Sequence, residues 1–121
     1  LVMHGSSSVP QDLQDIINAH GGAMKQTYGV PVEEIVKGIQ TGVRKVNIDT
    51  DNRMAITGAI RKVFADSPDA FDPRKYLTPA MSAMTEVCIA RYEAFNTAGQ
   101  ASKIEALPLS AMADRYSIAS A

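Results

Sequence analysis

LVMHGSSSVP, residues 1–10, reads as a short apolar strand, Leu1 to Met3, ending on His4 and followed by a loop of small residues, Gly5 to Ser8. KVNIDTDNR, residues 45–53, repeats the plan: a strand, polar residues at its C-terminal end, then a helix. Two strands that carry polar side chains at their C-terminal ends, joined through helices, point to an α/β fold with one shared mouth at that end of the sheet. The second strand, Val43 to Asp49, alternates, with Val46 and Ile48 on one face and Lys45, Asn47 and Asp49 on the other. In an open sandwich the apolar face would enter the core and the polar face would meet water. In a β/α barrel the apolar face meets the surrounding helices, and polar residues near the top line the mouth. A chain that opens inside a strand, at Leu1, is expected to continue upstream.

The 121 residues are enough for one ordinary domain. Hydrophobic residues make up 45% and charged residues 21%, as in a globular protein. Twelve basic against thirteen acidic residues leave a net charge of -1, so no basic excess points to nucleic acid. No stretch is long and apolar enough to suggest a membrane span. One cysteine, Cys88, excludes an internal disulfide framework and fits a reducing compartment, so a cytoplasmic location is expected.

Between and beyond the strands the pattern is helical. Pro10 is placed at the first position of a helix reaching Ala19, where its missing N–H costs nothing. Gly21 and Gly22 close that helix, with Gly21 suited to a left-handed cap. Pro31 starts a second helix, with Glu33 and Glu34 near its positive end, and Gly42 ends it. A third helix runs from about Thr50 to Ala65. SPDAFDPRKYLTP reads as a turn-rich connection, after which Thr78 and Pro79 are expected to cap a long helix to about Ala98. Its stripe of Met81, Met84, Cys88, Tyr92 and Phe95 is read as core packing. The tail from Gln100 to Ala121 carries one weak helical stretch, Leu109 to Tyr116.

The candidate chemistry lies at the two strand ends. A lone histidine at a strand end, as His4 is by itself, is more often a structural residue than a metal ligand. The glycine and serines after it form a flexible loop with hydroxyls and backbone N–H groups ahead of a helix, a setting that suits a phosphate. Thr50 stands at a helix start, where it can cap the helix or face an anion. Asn47 and Asp49 project together: the amide can donate to a developing oxyanion, whereas the carboxylate would repel phosphate and rather accept from a hydroxyl or orient a neighbour. Arg53, Ile56, Ile60 and Phe64 share a helix face, so Arg53 is expected to continue a core-directed stripe. Its guanidinium then needs an anion, either a structural carboxylate or a substrate phosphate.

Taken together, LVMHGSSSVP, GVRKVNIDTDNRMA and, more loosely, FDPRKYLTPA resemble the class II, metal-dependent fructose-bisphosphate aldolases. HGSS by itself is common; joined to NIDTDNRMA at this spacing it is specific. The family's glycine-rich first loop is serine-rich here. The resemblance implies a TIM (β/α)8 barrel of which residues 1–121 form the C-terminal part, the last two strands plus helices, with a helical extension from about residue 66. The implied activity is that of a lyase: reversible cleavage of fructose 1,6-bisphosphate to dihydroxyacetone phosphate and glyceraldehyde 3-phosphate, in glycolysis, gluconeogenesis or the Calvin cycle. A Zn2+ ion held by three histidines would polarise the ketone and stabilise the enediolate. By the resemblance His4 is the third zinc ligand, and Gly5, Ser6 and Ser7 form the loop that holds the triose phosphate. Asn47, Ile48, Asp49 and Thr50 make the second triose-phosphate segment, with Asn47 in the catalytic role. Arg53 meets the distal phosphate, and Arg74 reaches the site of a neighbouring subunit in a homo-oligomer, expected as a dimer. The other zinc ligands and a catalytic aspartate would lie upstream. The sugar-phosphate alternative is tagatose bisphosphate; the alternative of another class is a metal-free phosphate-binding regulatory module in which His4 is structural.

Overall fold

A computed structural model describes residues 1–118. The chain runs β1 (Val2–Met3), α1 (Gln11–Ala19), α2 (Val32–Gln40), β2 (Lys45–Val46), α3 (Thr50–Asp66), α4 (Pro73–Ala94), a 3-10 turn at Ala101–Lys103, and α5 (Leu109–Ile118). β1 and β2 are parallel neighbours, with Val2 opposite Lys45 and Met3 opposite Val46. Only this pair is regular, so β2 is shorter than the Val43–Asp49 strand expected. A strand flanked on one side has a single ladder to define it. Even so, Asn47 N–H still donates to the Met3 carbonyl at 3.1 Å, which carries the pairing into the site.

α3 is the central helix, with α1 and α4 both packed on it. Its buried face is Asp51, Met54, Ala55 and Gly58. At about 100° per residue, that face lies nearly opposite the Arg53–Ile56–Ile60–Phe64 stripe expected to point inward. α4 is turned less, by about one residue, some 100°. Its inward side includes Tyr76, Ala80, Ala83, Val87, Arg91 and Ala94; of the stripe expected in the core, Cys88 and Phe95 are half-buried, while Met81, Met84 and Tyr92 are exposed. Gly58 lies against α1, where an added Cβ would meet Ile16 at 3.1 Å, and Ala55 and Ala80 are also buried. Val9, Ile17 and Met54 form the core cluster, with Leu13 and Met24 packed against it. Burying a side chain such as Ile17 or Met54 contributes about 1.5–3 kcal/mol.

Helix boundaries follow local chemistry. Pro10 is the N-cap of α1 rather than its first residue. Gly21 has φ 82°, as its capping role requires. α4 begins at Pro73, upstream of the expected Thr78–Pro79 start, because Asp72 accepts from the Arg74 N–H at 3.0 Å and Pro73 suits the first turn. Pro79 therefore lies inside the helix. Tyr76 packs on Phe64 of α3, with ring centroids 5.0 Å apart, and this contact helps to hold the early turns together. The helix stops at Ala94, short of Ala98, where Asn96 turns left-handed at φ 56° and the N–H groups of Thr97 and Ala98 bond back to the Tyr92 carbonyl. The weak stretch in the tail is helical as α5.

Candidate active site

The parallel register places the ends of β1 and β2 side by side, and the polar face of β2 meets His4. Lys45 Nζ donates to Asn47 Oδ1 at 2.7 Å, which turns the amide so that Nδ2 faces His4 Nδ1 at 2.9 Å. With Nδ2 donating, His4 Nδ1 is the accepting nitrogen. Lys45 and Asn47 share His4's side in these contacts, and Lys45, Val46 and Ile48 also border an apolar groove with Cys88 and Tyr92 of α4.

The loop after β1 is tied down residue by residue. Ser6 is fully buried, and its hydroxyl lies 2.7 Å from the Asn47 carbonyl and 3.1 Å from that of Met3. Ser7 Oγ accepts from the N–H groups of Asp49, at 3.3 Å, and Thr50, at 3.2 Å. The start of α3 is therefore capped from another segment. Asp49 is its N-cap residue, yet neither its side chain nor that of Thr50 does the capping. A hydroxyl oxygen already stands where the helix N-terminus favours an anion. Gly29 closes the loop from behind: Val30 N–H donates to the Ser7 carbonyl at 3.1 Å, and a Cβ on Gly29 would come within 2.1 Å of that oxygen.

Gly5, Ser7 and residues 45–50 line a hollow of about 530 Å3, so most of the expected triose-phosphate residues come together. Arg53 and Arg74 do not line it. Arg53 is solvent-facing, its side chain 76% exposed, and not core-directed. It binds Asp49 through both oxygens, Nε to Oδ1 at 2.9 Å and the terminal nitrogen to Oδ2 at 2.8 Å. Asp49 is thus paired with Arg53 in this structure. Arg74 is 90% exposed and paired with Asp72 at 2.5 Å. The hydrogen bonds from its guanidinium hold the Asp72 carboxyl below the usual carboxylate range.

Two residues that sequence reasoning passed over dominate the interior. Asp51 is fully buried and accepts from Ser8 N–H (3.1 Å), Ser8 Oγ (2.8 Å) and Val9 N–H (2.9 Å). Arg91 of α4 reaches the same point, 2.8 Å from Ser8 Oγ and 3.3 Å from Asp51 Oδ2. The available signal was spacing: Asp51 continues the Met54–Ala55–Gly58 face at i+3, i+4 and i+7, so a carboxylate there had to be buried and paired.

Residues 1–100 match the family described as fructose-bisphosphate aldolase class-II. The chain belongs to this family. Over 116 residues it is 68% identical to fructose-bisphosphate aldolase 2 of Cereibacter sphaeroides, a match covering 96% of this chain and 33% of the relative. It is 66% identical over the same length to the fructose-bisphosphate aldolase of Pseudomonas aeruginosa, covering 96% and 33%, and 60% identical to that of Nostoc commune, covering 96% and 32%. The chain thus spans about a third of the length of the curated fructose-bisphosphate aldolases it matches. His4 offers one imidazole donor at the mouth, which fits one position of a zinc site. Among the described residues no group of three or more His, Cys, Asp and Glu side chains could hold a metal, so a four-coordinate site needs ligands from outside this set. Among the described residues no helix is long and apolar enough to cross a membrane.

Proposed function

We propose that this chain is the C-terminal part of a (β/α)8-barrel aldolase, contributing its last two strands to the reversible cleavage of fructose 1,6-bisphosphate into dihydroxyacetone phosphate and glyceraldehyde 3-phosphate. The observation that carries this reading is the parallel pairing that puts His4 beside Asn47, with Ser7 Oγ at the start of α3. His4 is one zinc ligand, completed by histidines outside this chain; zinc, when bound, supplies Lewis-acid polarisation of the substrate ketone. The Gly5–Ser7 loop and residues 47–50, at the positive end of α3, bind the triose phosphate. Asn47, its amide oriented by Lys45, donates from Nδ2 to the oxygen on which negative charge grows. Arg53 takes the distal phosphate, and Arg74 serves the neighbouring subunit of a homodimer. The enzyme works in the cytoplasm, in central sugar metabolism.

In the full-length protein, His4→Ala is expected to lower zinc content, read by elemental analysis, and to reduce turnover by several orders of magnitude. Full occupancy with a near-normal rate would make His4 a packing residue and favour a metal-free phosphate-binding module. Steady-state comparison of fructose and tagatose bisphosphates is expected to favour the fructose sugar; preference for the other would reassign the substrate.

A further inference from the structure

We propose that Asp51 and Arg91 are positioning residues for phosphate affinity, holding the Ser6–Ser8 loop in its binding shape through a left-handed Val9. The proposal rests on the aldolase reading above. Val9 has φ 51°, a region where Cβ crowds the backbone and which a β-branched residue rarely enters. What keeps it there is visible. Its N–H is bound to Asp51 Oδ1 at 2.9 Å, and its carbonyl accepts from Gln11 Nε2 at 2.8 Å. The hydrogen bonds of the Asp51 carboxylate go to Ser8, Val9 and Arg91. The Ser8 hydroxyl donates to Asp51 and accepts from Arg91, so one chain of bonds links α3, the loop and α4. One residue before this clamp, Ser7 holds the N-terminus of α3, and both strand-end segments meet the hollow there. If the clamp is loosened, Val9 relaxes to negative φ, and Ser7 loses its place against Asp49 and Thr50. Phosphate contacts are made in the ground state and the transition state alike, so the loss falls on KM more than on kcat.

The test uses the full-length enzyme. Asp51→Asn is expected to raise KM for fructose 1,6-bisphosphate about tenfold, the equivalent of roughly 1.4 kcal/mol of binding, with kcat changed less. It should also speed amide hydrogen exchange at Ser8 and Val9. Adding Val9→Gly to Asp51→Asn is expected to recover most of the KM, because glycine accepts the left-handed turn unaided. Adding Val9→Ala removes nearly as much side chain without that freedom and should recover little. A purely structural role for Asp51 would move both double variants alike. Equal recovery, or a KM within twofold of wild type in Asp51→Asn, would overturn the proposal. Should Asp51→Asn fail to fold, Arg91→Gln loosens the same clamp, with about a threefold rise in KM expected by the same conversion; an unchanged KM overturns it. If the wild-type enzyme cleaves neither sugar, the functional reading fails, and exchange at Ser8 and Val9 then decides the clamp: faster exchange in Asp51→Asn upholds it, unchanged exchange rejects it.

Discussion

At the residue scale, Arg91 and Arg53 face anions on very different terms. Arg91 is largely buried against a fully buried Asp51. Removing one partner of such a pair costs about 3–5 kcal/mol, because the other charge is stranded. Arg53 and Asp49 are an exposed i,i+4 pair, worth about 0–1 kcal/mol. So weak a tether lets Arg53 leave Asp49 for a phosphate at little cost, which supports the binding role over a structural one. Arg53→Ala in the full-length enzyme is expected to impair bisphosphate cleavage while affecting exchange of the triose-phosphate α-proton much less, since that partial reaction needs no distal phosphate. Equal loss in both would make the Asp49 pair structural after all. Asn47→Ala, by contrast, should lower kcat in both reactions far more than it raises KM.

At the element scale, α4 illustrates how a local rule is outweighed. Pro79 reads as a helix start, and in an interior it removes the bond to the carbonyl four residues back and clashes with it, at about 3 kcal/mol. The Asp72 cap, Pro73 in the first turn and the Phe64–Tyr76 contact nonetheless extend the helix upstream through it. Pro79→Ala is therefore expected to stabilise the full-length protein by about 1–3 kcal/mol, read as a higher denaturation midpoint without loss of activity. A destabilised variant would mean that the proline ring's own packing outweighs the missing bond. The rotation of α3 and α4 has a related cause. Large apolar side chains marked the stripes Ile56–Ile60–Phe64 and Met81–Met84–Tyr92, whereas small residues, Ala55, Gly58 and Ala80, are among those the two helices bury.

At the scale of the whole molecule, the fold has too little covering. Two short strands form the whole sheet among the described residues, and large apolar side chains face outward, Met81 at 70% and Phe71 at 88% exposure among them. Patches of this kind mark surfaces that pack on something else. The 121-residue chain made alone is expected to melt without a sharp transition, bind a hydrophobic dye, and show no aldolase activity. One histidine at the mouth cannot complete a four-coordinate zinc site. A monomeric, cooperatively melting and active 121-residue protein would contradict the proposed assembly.

What was legible from sequence is what depends on neighbours within a few residues or on one periodicity. The strand at Val2–Met3, the cap at Gly21 and the face Asn47 shares with Lys45 are local, and so are the His4–Ser7 and Asn47–Ala55 runs whose combination carried the family resemblance. The pairing that brings His4 to Asn47 follows from two such strands being parallel neighbours. What the tertiary structure alone decided is where buried charge goes. Ser8, Asp51 and Arg91 meet across 83 residues of chain, and no periodicity along one helix reports a carboxylate matched by a loop and a distant helix. Burial leaves Asp51 no water to turn to, so the fold had to bring donors to it; that requirement sets the inward faces of α3 and α4 and the turn at Val9 together.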